Sequence, residues 1–316
     1  MVSGMHPSST PAGSWPPVSV VIPTRDRPEL LRRAVQRVFN QRYQGEIECL
    51  VVFDQSAPTD VPVELAPRRS LRTVSNGRNP GLAGARNAGV LAARGDLIAF
   101  CDDDDEWLPE KVASQVEVLR GHPEAAVVAC GIQVHHGDRV IQRLPPPGPV
   151  PLERFLRSRV MEIHPSTILV RREALLGTIG LIDERLPGSY GEDYEWLLRA
   201  ARVAPVLVVP QPLVRVYWHA TSFFAGRWQT IIEAITYLID KHPELRRDLT
   251  GMARLEGQLA FAHAALGQRG VARRWATRAL RHNWRERRGY VALAVSARLV
   301  RAETVLRLAN SKGRGV

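Results

Sequence analysis

Cysteine is scarce in this chain, and acid is scarce in its last quarter. The 316 residues hold three cysteines, Cys49, Cys101 and Cys130, each in or beside an apolar run. No two share a CxxC spacing, which argues against a zinc site or disulfide framework and fits buried thiols in a reducing compartment. No run of about 18 apolar residues occurs, so no spanning helix is expected. The nearest candidate, Tyr290 to Val300, is short and contains Arg298. Residues 1–17 lack the basic start and apolar stretch of a signal peptide. Rich in Ser, Pro and Gly, they read as a flexible leader. Gly81, Gly84 and Gly89 form neither GxGxxG nor a P-loop, which leaves close helix packing or a tight turn as their use. Residues 241–316 carry 17 Lys and Arg against 5 Asp and Glu, a balance of +12, whereas the rest of the chain stands at −1. Such asymmetry points to an anionic partner for the C-terminal quarter.

What is present argues for a large core: 45% of the residues are hydrophobic. Val18–Ile22, Ile47–Phe53, Leu71–Val74, Asp96–Cys101 and Ala126–Val134 read as strands. Between them Pro28–Gln41, Gly81–Ala93 and Pro109–Arg120 read as helices. Alternating strands and amphipathic helices predict βαβ units with a mostly parallel sheet covered on both faces. Further on, Ser166–Val170, Val206–Val209 and Leu213–Trp218 are strand-like, and Glu192–Val203 is helical. Beyond Phe224 strand signals vanish and Ala, Leu and Arg dominate, so a boundary is placed there. The spacing of Leu259-Ala260, Gly267, Ala272 and Ala279-Leu280 suits one tetratricopeptide-like helix pair or an ordinary Ala-rich hairpin.

The most informative stretch is Leu97-Ile-Ala-Phe-Cys-Asp102-Asp-Asp-Asp105-Glu106. Four carboxylates in a row repel one another, and a hard divalent cation relieves that conflict. The position also fits, because ligands of open α/β sheets bind beyond the carboxyl ends of strands. Other segments join it: Val20-Val-Ile-Pro-Thr-Arg-Asp-Arg27, Val51-Val-Phe-Asp54-Gln-Ser56, Asn79-Pro-Gly-Leu-Ala-Gly-Ala-Arg-Asn87, Gly191-Glu-Asp-Tyr194 and Trp218-His219. In this order and spacing the chain resembles the family 2 glycosyltransferases of the GT-A fold over about Val18 to Phe224.

The resemblance implies an α/β GT-A-like nucleotide-sugar-binding domain over 18–224 and an all-α C-terminal domain over 225–316. It places Pro23, Thr24, Arg25 and Asp26 along the nucleotide site, although Arg25-Asp26-Arg27 departs from the usual turn there. Asp54 would face the base, Arg86 would lie near the nucleotide, Asp102 would face the ribose, and Asp103 would also bind the nucleotide. Asp104 and His219 would hold the metal, Mn²⁺ or Mg²⁺. Asp193 would be the general base, with Glu192 as the alternative holder of that role. His164, before Pro165-Ser-Thr, would touch acceptor. His135-His136, His164 and His263 show no metal-ligand spacing.

The implied reaction is inverting transfer of a sugar from a nucleotide diphosphate, expected to be UDP, to a hydroxyl of an envelope glycan or lipid-linked saccharide. Two rivals stand beside it: a sugar-1-phosphate nucleotidyltransferase, and a helical adaptor that binds nucleotide-sugar without turnover. Arg274, Arg278, Arg281, Arg285 and Arg288 would share one face of a continuous helix flanked by Trp275 and Trp284. That face suits an anionic membrane surface, and nucleic acid is a weaker fit. The expected place is cytoplasmic, peripheral to the inner face of the cell membrane.

Overall fold

The computed structural model describes residues 15–217 and 226–311. His219, Trp218 and Phe224 lie outside the described residues, so the expected metal-ligand histidine and the expected boundary are not placed. The strands are β1 (Val18–Thr24), β2 (Ile47–Phe53), β3 (Arg69–Ser75), β4 (Leu97–Phe100), β5 (Glu106–Trp107), β6 (Val127–His136), β7 (Arg139–Arg143), β8 (Leu169–Arg171) and β9 (Leu207–Tyr217). The helices of the same region are α1 (Pro28–Phe39), α2 (Leu82–Ala92), α3 (Lys111–Gly121), α4 (Leu152–Arg157), α5 (Arg172–Leu176) and α6 (Glu192–Val203). One curled sheet runs β3-β2-β1-β4-β8-β6-β9-β5, with β7 on the side of β6. Its first four strands are parallel, and antiparallel pairings enter at β4–β8.

Strand alternation sends apolar side chains to both faces. Val18, Val20 and Ile22 of β1 pack with Leu31, Val35 and Val38 of α1 and with Val112 and Val116 of α3. Val21 points the other way, into a cluster with Ala85 of α2 and Trp196 and Leu197 of α6. Gly89 sets the depth of α2: a Cβ there would sit 2.4 Å from a Val21 methyl. The small residues between 81 and 93 therefore allow close helix–sheet contact, as their pattern suggests.

Three expectations need adjusting. Trp15 to Pro17 are anchored, with Trp15 edge-on to Tyr43 at 5.2 Å and the Tyr43 hydroxyl donating to the Pro16 carbonyl. Trp15 to Pro17 are therefore part of the fold. The two short strands expected at Val206–Val209 and Leu213–Trp218 are, over Leu207–Tyr217, one strand, β9, which passes Pro210 and Pro212 where its register against β6 shifts around Gly131. Proline lacks the ladder donor, so the irregularity sits where it falls. The strand expected at Ser166–Val170 is shorter, because Pro165–Thr167 form a single 3₁₀ turn ahead of β8.

The C-terminal helices are α7 (Trp228–Lys241), α8 (Leu249–Ala265), α9 (Arg269–His282), α10 (Arg287–Ser296) and α11 (Ala302–Ser311). The core does not break where the composition changes. Ile231, Ile235 and Leu238 of α7 and Met252, Leu255 and Leu259 of α8 belong to the same apolar cluster as Val21 and Trp196. A second, Ala-rich cluster with Phe261, Ala272, Ala276 and Ala292 joins α8, α9 and α10. The five arginines do not share one helical face. α9 ends at His282, Arg285 lies in the following turn, and Arg288 lies in the first turn of a new helix. No helix among the described residues is long and apolar enough to cross a membrane.

Candidate functional site

The carboxyl ends of β1, β2 and β4 meet. Cys101 donates its N–H to Val21 O, and Asp54 donates its N–H to Thr24 O. The turns after these three strands therefore form one rim. On it, Thr24 Oγ1 donates to Asp103 at 2.8 Å, and Arg27 Nη1 reaches both Asp103 and Asp104 at 3.1 Å. Pro23 is buried behind Thr24, whereas Arg25 and Asp26 are exposed, with Asp26 in left-handed backbone at φ 54°. Asp54 accepts from Asn76 Nδ2 at 2.7 Å, Gln55 Nε2 at 2.9 Å and the Gly81 N–H at 3.1 Å. It thereby fastens the turn into α2. These donors outweigh the cost of burial and hold its carboxyl below the usual range.

Arg86 is the hub of the site and is 1% exposed. One terminal nitrogen donates to Asp102 at 2.6 Å and the other to Glu192 at 2.5 Å. A guanidinium sealed in the core thus ties the acidic run after β4 to the first turn of α6. Asp193, beside Glu192, is gripped through both oxygens by Arg159 Nη2, at 2.8 and 2.9 Å. The two carboxylates differ accordingly. Burial and neighbouring Asp193 push Glu192 up to about 7, in spite of Arg86. Burial also works against Asp193, yet Arg159 keeps it below the usual range.

On the far side, Ser166 joins the acidic run to the 3₁₀ turn. Its Oγ accepts the Asp102 N–H at 2.9 Å and donates to Asp105 at 2.5 Å. His164 Nδ1 stands 3.3 Å from Asp105. Burial holds His164 below its ordinary value, so the imidazole is neutral at pH 7, the form that binds metals. Burial pushes Asp103 up to about 6, and burial followed by crowding from Asp102 raises Asp104 and Asp105 as well. Raised carboxyls mark unmet negative charge, which suits a hard cation. Oxygen or nitrogen atoms of Asp102, Asp105 and His164 lie within 4.8 Å of one another. The residues present therefore fit a dication.

The structure thus brings together Thr24, Asp54, Arg86, Asp102, Asp103, Asp104, Glu192 and Asp193. Sequence reasoning missed Arg27, Arg159, Ser166 and the contact of His164 with Asp105. Arg159 carries no local signal, since its partner is 34 residues away.

Solved structures share the fold that carries this site. The solved structure of S. aureus TarS 1–349 in complex with UDP-GlcNAc has a TM-score of 0.58 at 15% identity, covering 94% of this chain and 92% of that one. The mannosyltransferase PcManGT from Pyrobaculum calidifontis, in complex with GDP-Man and Mn²⁺, has a TM-score of 0.56 at 18% identity, covering 94% and 88%. At such identities the likeness shows the GT-A fold. An uncharacterized glycosyltransferase of Haemophilus influenzae is 28% identical over 189 residues, 58% of this chain and 61% of that protein. The chain thus spans about three fifths of that relative. The sequence profile described as glycosyl transferase family 2 matches residues 19–177, from β1 through α5, and so includes the whole acidic run. The chain belongs to glycosyl transferase family 2.

Proposed function

We propose that this glycosyltransferase moves a sugar from a nucleoside diphosphate, UDP by preference, to a hydroxyl of an envelope glycan or lipid-linked saccharide, with inversion. The observation that carries the reading is the Asp102–Arg86–Glu192 bridge. It sets the acidic run at the strand ends opposite the carboxylates that open α6.

In this reading Asp54 and the Pro23–Asp26 turn flank the nucleotide, and Asp102 and Asp103 stand on its ribose and phosphate side. Asp104 and the neighbouring carboxylates, with His219 as a further ligand, would hold a dication, Mn²⁺ or Mg²⁺, which would neutralise charge on the leaving diphosphate. Asp193 accepts the proton of the acceptor hydroxyl as that oxygen bonds to the anomeric carbon and the diphosphate departs. Arg159 holds Asp193 ionised and ready as a base. Glu192, bonded to Arg86, orients the pair. The neighbour with UDP-GlcNAc and the neighbour with GDP-Man and Mn²⁺ support a nucleotide-sugar donor.

Incubating the purified protein with a panel of nucleotide-sugars, with Mn²⁺ or with chelator, tests this. Release of nucleoside diphosphate from one donor, dependent on metal, is expected. Absence of binding and of release across the panel would overturn the reading.

A second reading concerns the partner of the C-terminal helices. Trp284 is 66% exposed at the turn after α9, and the Arg285 guanidinium lies 4.9 Å from its ring centroid. We read this turn as the point where the basic region touches an anionic membrane. Co-sedimentation with anionic vesicles, lost in Trp284→Ala/Arg285→Glu, is the expected result.

A further inference from the structure

Glu106 lies two residues beyond Asp104, at the start of β5, and is 5% exposed. Four groups converge on its carboxylate. Arg37 Nε donates to Oε2 at 3.0 Å, and the Tyr217 hydroxyl donates to Oε1 at 3.1 Å. Arg215 Nη1 is 3.7 Å from Oε2, and Arg33 Nη1 is 4.0 Å from Oε1. Among the described residues no other carboxylate pairs with Arg33, Arg37 or Arg215. Three cations thus surround one anion.

The donors also exceed the acceptors. Three guanidinium forks offer many more N–H groups than one carboxylate accepts. Arg215 Nε is buried without a partner among the described residues, and so is His135 Nε2. The His135 ring lies 5.1 Å from that of Tyr217, and Arg33 lies over the same Tyr217 ring at 5.5 Å. The cluster is open to solvent: the side chains of Arg33 and Arg37 are each 46% exposed and that of Arg215 is 35% exposed. It also adjoins the rim of the site. Arg33 and Arg37 are one turn apart on α1, which follows directly on the turn whose Arg27 holds Asp103 and Asp104.

We propose that Arg33, Arg37 and Arg215 form an anion subsite that takes a phosphate group of the acceptor. Guanidinium forks arriving from α1 and from β9 suit a tetrahedral oxyanion, which accepts from several directions, better than a planar carboxylate. The surplus positive charge also matches a phosphate dianion. Assignment of that phosphate to the acceptor rests on the transfer reading above. The subsite itself does not, so it is tested by binding, without donor, metal or turnover.

Calorimetric titration with inorganic phosphate, in chelator, should show binding by wild type. Arg33→Gln/Arg37→Gln should weaken it by about tenfold or more, the usual worth of a charge-assisted hydrogen bond. Glu106→Gln removes the competing anion and should tighten binding, a gain that misfolding does not produce. If Glu106→Gln does not fold, Arg37→Lys keeps the charge, loses the fork, and should fall between wild type and the double variant. Vesicles distinguish the source of the phosphate. In the Trp284→Ala/Arg285→Glu background, sedimentation with phosphatidylglycerol vesicles that is released by inorganic phosphate and lost on adding Arg33→Gln/Arg37→Gln supports a phosphate carried at a lipid surface. Binding of inorganic phosphate without sedimentation supports a soluble phosphate-bearing acceptor. No phosphate binding by wild type, or equal affinity in the double variant, would overturn the subsite.

Discussion

Helix α6 carries two glutamates one turn apart with opposite fates. Glu192 faces the site, where burial and Asp193 push it up to about 7. Glu195 faces α7, is also buried, and is pulled down to about 2, because His242, Arg199 and Lys241 overcome its burial. The second cluster is closed. Lys241 also bonds Asp183 at 2.5 Å, and Arg202 bonds Glu244, so its cations meet several carboxylates. The first is open: the run Asp102–Asp105 and the pair Glu192–Asp193 outnumber Arg27, Arg86 and Arg159. Desolvated charge without enough partners costs stability, and it is retained where a ligand supplies the missing partner.

The largest effect expected on either side is catalytic. Asp193→Asn keeps the shape and the Arg159 contact but accepts no proton. Turnover should fall by about two to four orders of magnitude while donor affinity survives. A fully active Asp193→Asn, together with an inactive Glu192→Gln, would hand the base role to Glu192.

On the closed side the largest effect is on folding. Glu195→Gln leaves Lys241, Arg199 and His242 without their shared anion and should cost about 3 kcal/mol. Chemical denaturation measures it, and an unchanged midpoint would refute the idea that this cluster ties α6 to α7. Asp104→Asn should act in the opposite sense on the metal-free protein, since it relieves crowding. A gain of up to about 1 kcal/mol is expected. The same change should weaken UDP binding by about tenfold in Mn²⁺ and not at all in chelator. Equal calorimetric affinity in Mn²⁺ for wild type and variant would dismiss Asp104 as a metal ligand.

The smallest effect is in pH dependence. Glu195 has a folded value of about 2 against an ordinary 4.5. Its contribution is therefore complete above about 4.5 and is lost as pH falls toward about 2. The stability difference between wild type and Glu195→Gln should shrink over that window. A difference constant with pH would assign it to packing alone.

The open cluster was legible in the sequence for the reason that makes it open. Asp54 and Asp102 end apolar runs, and Glu192 follows a glycine turn, so each breaks a local pattern. The closed cluster was not legible. Glu195, Lys241 and His242 look like ordinary surface residues of two helices until tertiary packing joins them across 47 positions. The same holds for Arg159, whose role exists only once α4 packs on α6. The fold was read well where period and strand length agree, as in β1, α1, β2 and α6. It was misread where prolines suggested a break that the register shift of β6 against β9 absorbs. His219, one of the two expected metal ligands, lies outside the described residues.

The apolar cluster shared by the sheet, α7 and the first part of α8 bears on where the chain can be grafted. Ile235, Leu238, Met252 and Leu255 fill space that Val21 and Trp196 alone would leave exposed. A chimera that replaced everything after the sheet would strip one apolar face of the molecule, so α7 and early α8 have to be kept with the sheet in any graft. The Ala-rich packing of α9 and α10 on late α8 involves none of those residues. The two clusters are nonetheless joined: Leu259 and Ala262 of the first alternate along α8 with Ala260 and Phe261 of the second, and Trp228 and Trp275 pack against both, so any graft point inside α8 cuts through shared packing.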